Sequence, residues 1–94
     1  MTTDADPVHR IGPYVLRTRL ASGVTGHVYE ASEEHTGRIV AVKILASGLE
    51  GDREARERFY REARIMTQIQ HANIVRVLDI GAEDGRPYIV MERL

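Results

Sequence analysis

The stretch Val40-Ala41-Val42-Lys43-Ile44-Leu45 contains the single lysine of the chain; every other one of its thirteen Lys and Arg residues is arginine. Four of its six residues are β-branched or leucine, so it reads as a strand. Alternation then sends Val40, Val42 and Ile44 to one face and Ile39, Ala41, Lys43 and Leu45 to the other. A charge among aliphatic residues is costly unless something pairs with it. Lysine is a compact point charge and arginine a broad planar fork, so the two are not interchangeable here. The position of Lys43 therefore demands a partner.

Upstream, Met1 to His9 is polar and broken by Pro7, and residues 1–10 are expected to be a disordered lead-in. Gly12-Pro13 marks a turn into Tyr14–Leu20, a strand with Tyr14, Leu16 and Leu20 on one face and Arg17 and Arg19 on the other. Ala21-Ser22-Gly23-Val24-Thr25-Gly26 is a glycine-bearing loop, after which His27–Ala31 again reads as a strand. Glu34-His35-Thr36-Gly37 is a second turn leading into the lysine strand.

Downstream, Ser47–Asp52 is a loop with Asp52 as a helix N-cap. Arg53–Ile69 has helical periodicity, with Ala55, Phe59, Ile65, Met66 and Ile69 on one stripe and Glu62 in its middle. Ile74–Ile80 and Pro87–Glu92 are strands joined by a turn over Gly81–Arg86. Three strands, a helix and two strands give an α+β fold, a five-stranded antiparallel sheet with one packed helix. That helix covers one face. With no second helix available, an apolar surface is expected to stay uncovered on the other.

The composition excludes several classes. A formal net charge of −1 leaves no electrostatic footprint for nucleic acid. The absence of cysteine rules out disulfides and thiolate metal sites. His9, His27, His35 and His71 lack metal-ligand spacing. No apolar run approaches the ~18 residues of a membrane span, and a cytoplasmic location is expected.

Lys43 and Glu62 are thus two charges, each inside an apolar pattern. If the helix packs on the sheet they can meet. Two other arrangements stand beside this one: Lys43 snorkelling to an edge, and Glu62 pairing with Arg58 one turn earlier. The loop Leu20-Ala21-x-Gly23-x-x-Gly26-x-Val28-Tyr29 could bring backbone N–H groups close to phosphate oxygens, although turn glycines alone are weak signals. A Rossmann fingerprint needs a helix after the glycines, and a Walker loop needs Gly-Lys-Ser/Thr; neither condition holds.

Taken together, the residues resemble the N-terminal lobe of a protein kinase, most like the bacterial serine/threonine kinases. Leu20–Tyr29 is similar to the glycine-rich loop and Val40–Lys43 to the V-A-I-K strand. Phe59-Tyr60-Arg61-Glu62-Ala63 is similar to the helix-C segment, His71–Val75 to the lead into the fourth strand of the lobe, and Tyr88–Glu92 to the strand entering the hinge.

The resemblance implies that residues 11–94 form a partial kinase domain, from N-lobe to hinge, with the C-lobe absent. It implies ATP as ligand, with Lys43 on the α- and β-phosphates and Glu62 holding Lys43. The backbone of Ala21, Ser22, Gly23, Val24, Thr25, Gly26 and His27 would cover the phosphates. Leu20, Val28 and Ala41 would contact adenine; Met91 would be the gatekeeper, and the Glu92 carbonyl and Leu94 N–H the hinge groups. Met66 and Val77 would join the hydrophobic spine.

Ala21 departs from the family glycine, a change costing roughly 1–2 kcal/mol if its φ is positive and little otherwise. The H-R-D-x-x-x-x-N loop and D-F-G do not occur in these 94 residues. The chain is therefore not expected to transfer phosphate alone, and Mg²⁺ and protein substrates belong to an intact parent. The alternative role is a non-catalytic kinase-like interaction module that binds a partner through its exposed sheet face or helix, N-lobe dimerisation included.

Overall fold

A computed structural model describes residues 10–23, 25–68 and 76–93, with the side chains of 65–68 excluded. The chain runs β1 (Arg10–Ile11), β2 (Tyr14–Ser22), β3 (Gly26–Glu33), β4 (Ile39–Leu45), α1 (Arg53–Gln68), β5 (Val77–Glu83) and β6 (Arg86–Glu92). All six strands form one antiparallel sheet in the order β1-β2-β3-β4-β6-β5. The sequence reading has five strands. The sixth, β1, is two residues folded back by the Gly12-Pro13 turn, so that Arg10 pairs with Val15 and Ile11 with Tyr14. Two residues are too short to show periodicity. Arg10 thereby leaves the segment expected to be a lead-in, and residues 1–9 lie outside the described part.

Turn chemistry fixes the strand pairs. The β5–β6 connection is only Asp84-Gly85, with φ of 53° and 77°. Both left-handed values match the two-residue hairpin turn that an Asp-Gly pair favours. Residues 81–83 are therefore strand, where the sequence reading has a turn over 81–86. Between β3 and β4, Glu33 Oε1 accepts hydrogen bonds from the N–H groups of His35 and Thr36 and from the Thr36 hydroxyl. Gly37 closes that turn with its N–H on the Glu33 carbonyl at 2.7 Å and a φ of 75°.

The alternation read for β4 divides the core in two. Ala41 and Leu45 join Phe59, Ala63, Ile89 and Met91 in a cluster between sheet and helix. Asp52 starts that helix as expected, its carboxylate accepting the Ala55 N–H at 3.1 Å. Phe59 and Ala63, one turn apart, are fully buried; Ala63 belongs to the packed stripe although the wheel reading leaves it out.

Val40, Val42 and Ile44 lie in a second cluster with Ile11, Tyr14, Tyr29, Ala31, Tyr88 and Val90. The apolar face expected to be bare is thus largely closed, because the sheet curls over itself. The Gly12 N–H on the β1–β2 turn donates to Glu83 at the far edge of β5 at 3.0 Å. Tyr14 and Tyr88 meet edge to face with ring centres 6.0 Å apart. A Cβ on Gly12 or on Gly81 would stand 2.6 Å from Tyr88, so bare backbone on both sides admits that ring. A groove of about 400 Å³ opens on this face, bordered by Tyr14, Arg38, Val40, Leu78, Asp79 and Val90 among others.

Candidate nucleotide site

Lys43 projects from the middle of β4 toward α1, where its Nζ donates to Glu62 Oε1 at 3.1 Å. The two charges singled out 19 residues apart are therefore partners, and the Arg58 alternative does not describe this geometry. Their environment is wetter than an aliphatic run suggests: the side chains are 25% and 46% exposed. The ammonium also lies 5.6 Å from the centre of the Phe59 ring, within cation–π range. Phe59 and Glu62 are three residues apart on one helical face, so a single turn supplies both the anion and the aromatic surface.

Sheet register carries this lysine to the glycine loop. Ala21 pairs with Val28, Val28 with Lys43 and Lys43 with Ile89, giving one row across four strands. Glu30, Ala41 and Met91 form the next row on the same face. Val28 and Val77 pack against the helix-side cluster, in which Ala41 and Met91 are 7% and 8% exposed. Leu20, at the end of β2, is 41% exposed. Strands β3, β4 and β6 thus bring Val28, Ala41, Lys43 and Met91 onto one face of the sheet, residues spread over more than sixty positions of sequence, while Leu20 falls in the β2 register shift and has no partner in the pairing.

The loop itself is defined on either side of Val24, which lies outside the described residues. The Gly23 N–H donates to the Gly26 carbonyl at 2.8 Å, and the Ala46 N–H to the Thr25 carbonyl at 2.8 Å. Across the neck, His27 Nδ1 and Ser22 Oγ are 3.1 Å apart. Neither loop glycine has a left-handed φ. Gly26 is required for close approach: a Cβ there would stand 2.3 Å from the Ile44 carbonyl oxygen. At Gly23 a Cβ would meet nothing nearer than the Gly26 carbonyl oxygen at 3.8 Å among the described residues. Asp84 is the one non-glycine with positive φ among the described residues, so Ala21 is unstrained where the family has glycine.

At the far end, Glu92 closes β6, with its N–H on the Arg76 carbonyl at 2.9 Å. Leu94, the Met66 side chain, Ile69 and residues 71–75 lie outside the described residues. One interaction has no signal in the sequence: Arg93 Nε donates to Glu30 Oε2 at 3.2 Å, across 63 residues. No group of three or more His, Asp or Glu among the described residues is arranged to hold a metal ion. No helix among them is long and apolar enough to cross a membrane.

Comparison with known proteins bears on the fold and the family. Serine/threonine-protein kinase PknE of Mycobacterium bovis is 39% identical over 82 residues, which make up 87% of this chain and 14% of that protein. Pkn1 of Myxococcus xanthus is 41% identical over 85 residues, 90% of this chain and 12% of its own length. The probable serine/threonine-protein kinase PknB of Corynebacterium glutamicum is 44% identical over 85 residues, 86% and 13% of the two chains. The chain thus spans about a seventh or less of the relatives it matches. Among solved structures, the kinase domain of Mycobacterium tuberculosis PknI superposes with a TM-score of 0.66 at 28% identity, covering 99% of this chain and 37% of that one. The match to the model of the protein kinase domain runs over residues 14–94, from the first residue of β2 past the end of β6, and the chain belongs to that family.

Proposed function

We propose that this chain is the ATP-binding N-lobe of a cytoplasmic serine/threonine protein kinase, and that the whole kinase transfers the γ-phosphoryl group of Mg-ATP to Ser or Thr hydroxyls of proteins. The observation that supports it most is the Lys43–Glu62 bond at 3.1 Å, one row along the sheet from the glycine loop. The Lys43 ammonium carries three N–H donors, and its bond to Glu62 uses one of them, which leaves donors for phosphate oxygens. Glu62 fixes the direction of those donors, while the open space around Gly23 leaves room for the loop backbone to approach phosphates.

Leu20, Val28 and Ala41 would form the apolar roof over adenine, with Met91 behind it. The Glu92 carbonyl would accept from the base. Mg²⁺ in this family rides on the phosphates and on the D-F-G aspartate and catalytic-loop asparagine. Those motifs are not among the 94 residues, so neither the metal ligands nor the catalytic base comes from this stretch.

The test is calorimetric titration of the chain and of Lys43→Met with Mg-ATP. The expected result is weak, saturable binding that Lys43→Met abolishes. Binding tighter than about 1 μM, near −8.2 kcal/mol, would contradict a half-built site. No binding, or equal binding by both proteins, would overturn the reading.

A further inference from the structure

The Arg93–Glu30 ion pair joins two elements that the sheet keeps apart. In the order β3-β4-β6, Glu30 pairs with Ala41 and Ala41 with Met91. Strands lie about 4.8 Å apart, so β3 and β6 are separated by roughly 9.5 Å. Arg93 is the first residue beyond β6, and its guanidinium reaches back over the end of β4 to Glu30 Oε2 at 3.2 Å. Glu30 stands in the row of Ala41 and Met91, the roof and back of the adenine site proposed above. On the other side, the chain is held by the Glu92 N–H on the Arg76 carbonyl. The β4–β6 ladder ends at the Val40–Glu92 pair, so the Arg93 side chain ties the chain to β3 one residue beyond it.

We propose that Arg93 and Glu30 are positioning residues, a clamp that fixes the hinge edge of the adenine site and so sets affinity for the base. The inference rests on the nucleotide-site reading and names two residues that reading does not use. The side chains of Arg93 and Glu30 are 36% and 30% exposed, so the pair acts in high dielectric and its effect is modest and salt-sensitive.

The phosphate end of the site lies at Lys43 and the loop, away from the clamp. Adenosine and inorganic tripolyphosphate therefore report on the two ends separately. Each would be titrated into the isotopically labelled chain and followed by NMR. Glu30→Gln and Arg93→Gln are expected to weaken adenosine about two- to fivefold at low salt, with tripolyphosphate unchanged. The exchanged pair, Glu30→Arg with Arg93→Glu, is expected to restore adenosine affinity. It also decides the matter should a single variant fail to fold. Unchanged adenosine affinity in the single variants, an equal loss for tripolyphosphate, or no recovery in the exchanged pair would overturn the clamp. A wild-type chain that binds neither ATP nor adenosine would overturn the nucleotide site itself, a result distinct from all three.

Discussion

Lys43 Nζ stands 3.1 Å from Glu62 Oε1 and 5.6 Å from the centre of the Phe59 ring, so one helical turn supplies both of its neighbours. With the two charged side chains 25% and 46% exposed, the pair lies closer to the surface regime than to a buried ion pair. Such pairs contribute about 1 kcal/mol or less to stability. Glu62→Ala is therefore expected to lower the unfolding free energy by less than about 1 kcal/mol in urea, while weakening ATP clearly by calorimetry. A large stability loss with ATP affinity intact would show that the pair is structural.

Phe59 is the opposite case. It is fully buried at the centre of the helix-side cluster, with Leu45, Ala63, Ile89 and Met91 around it. Phe59→Ala removes an aromatic ring from a filled site, a change costing about 3–5 kcal/mol. Domains hold only about 5–15 kcal/mol in total, so this variant is expected to lose the helical far-UV signal at room temperature or close to it. Phe59→Leu keeps most of the volume and should fold.

The two loop glycines separate packing from binding. A Cβ at Gly26 would overlap the Ile44 carbonyl at 2.3 Å, and β4 backbone cannot yield as a side-chain tip can. Gly26→Ala is expected to cost about 1–3 kcal/mol, the usual range for overpacking. Gly23 has an ordinary φ and open surroundings. Gly23→Ala should leave stability unchanged or raise it by up to about 1 kcal/mol through the unfolded chain, yet weaken ATP by filling space near the phosphates. Urea unfolding and nucleotide titration of both variants check the contrast.

The parts of this site that the sequence reveals are those carried by local pattern. Alternation in β4 sorts Val40, Val42 and Ile44 from Ala41 and Leu45, and the helical period puts Glu62 in line to meet Lys43. Asp52 is legible as a cap because its role depends on three following residues. What stays hidden depends on the curl of the sheet. Nothing near Gly12 announces that its N–H meets Glu83, nor that Tyr88 fits between Gly12 and Gly81. The bare face inferred from a missing second helix follows from treating the sheet as flat; twist lets its own aromatic residues fill that face. Arg93 and Glu30 are unreadable for the same reason, being neighbours only through the pairing of β3, β4 and β6.

The pH dependence of stability follows from the β3–β4 turn and the tyrosine cluster. N–H donation from Thr36, with help from its hydroxyl and the His35 N–H, holds the Glu33 carboxyl below its ordinary value, desolvation opposing in part. A lowered folded pKa means stability that is present above the unfolded value, about 4.3, and lost as pH falls through the folded one. Burial, followed by the Asp79 charge, raises both Tyr14 and Tyr88. Their contribution is present below about pH 10 and is lost as pH rises through their folded values. Urea midpoints measured across pH should therefore fall at both ends. Glu33→Gln should flatten the acid limb and leave the alkaline one. Tyr88→Phe should soften the alkaline limb and leave the acid one, because the hydroxyl wedged between Gly12 and Gly81 is then gone. A midpoint profile that these two substitutions leave unmoved would place the titrating groups elsewhere in the chain.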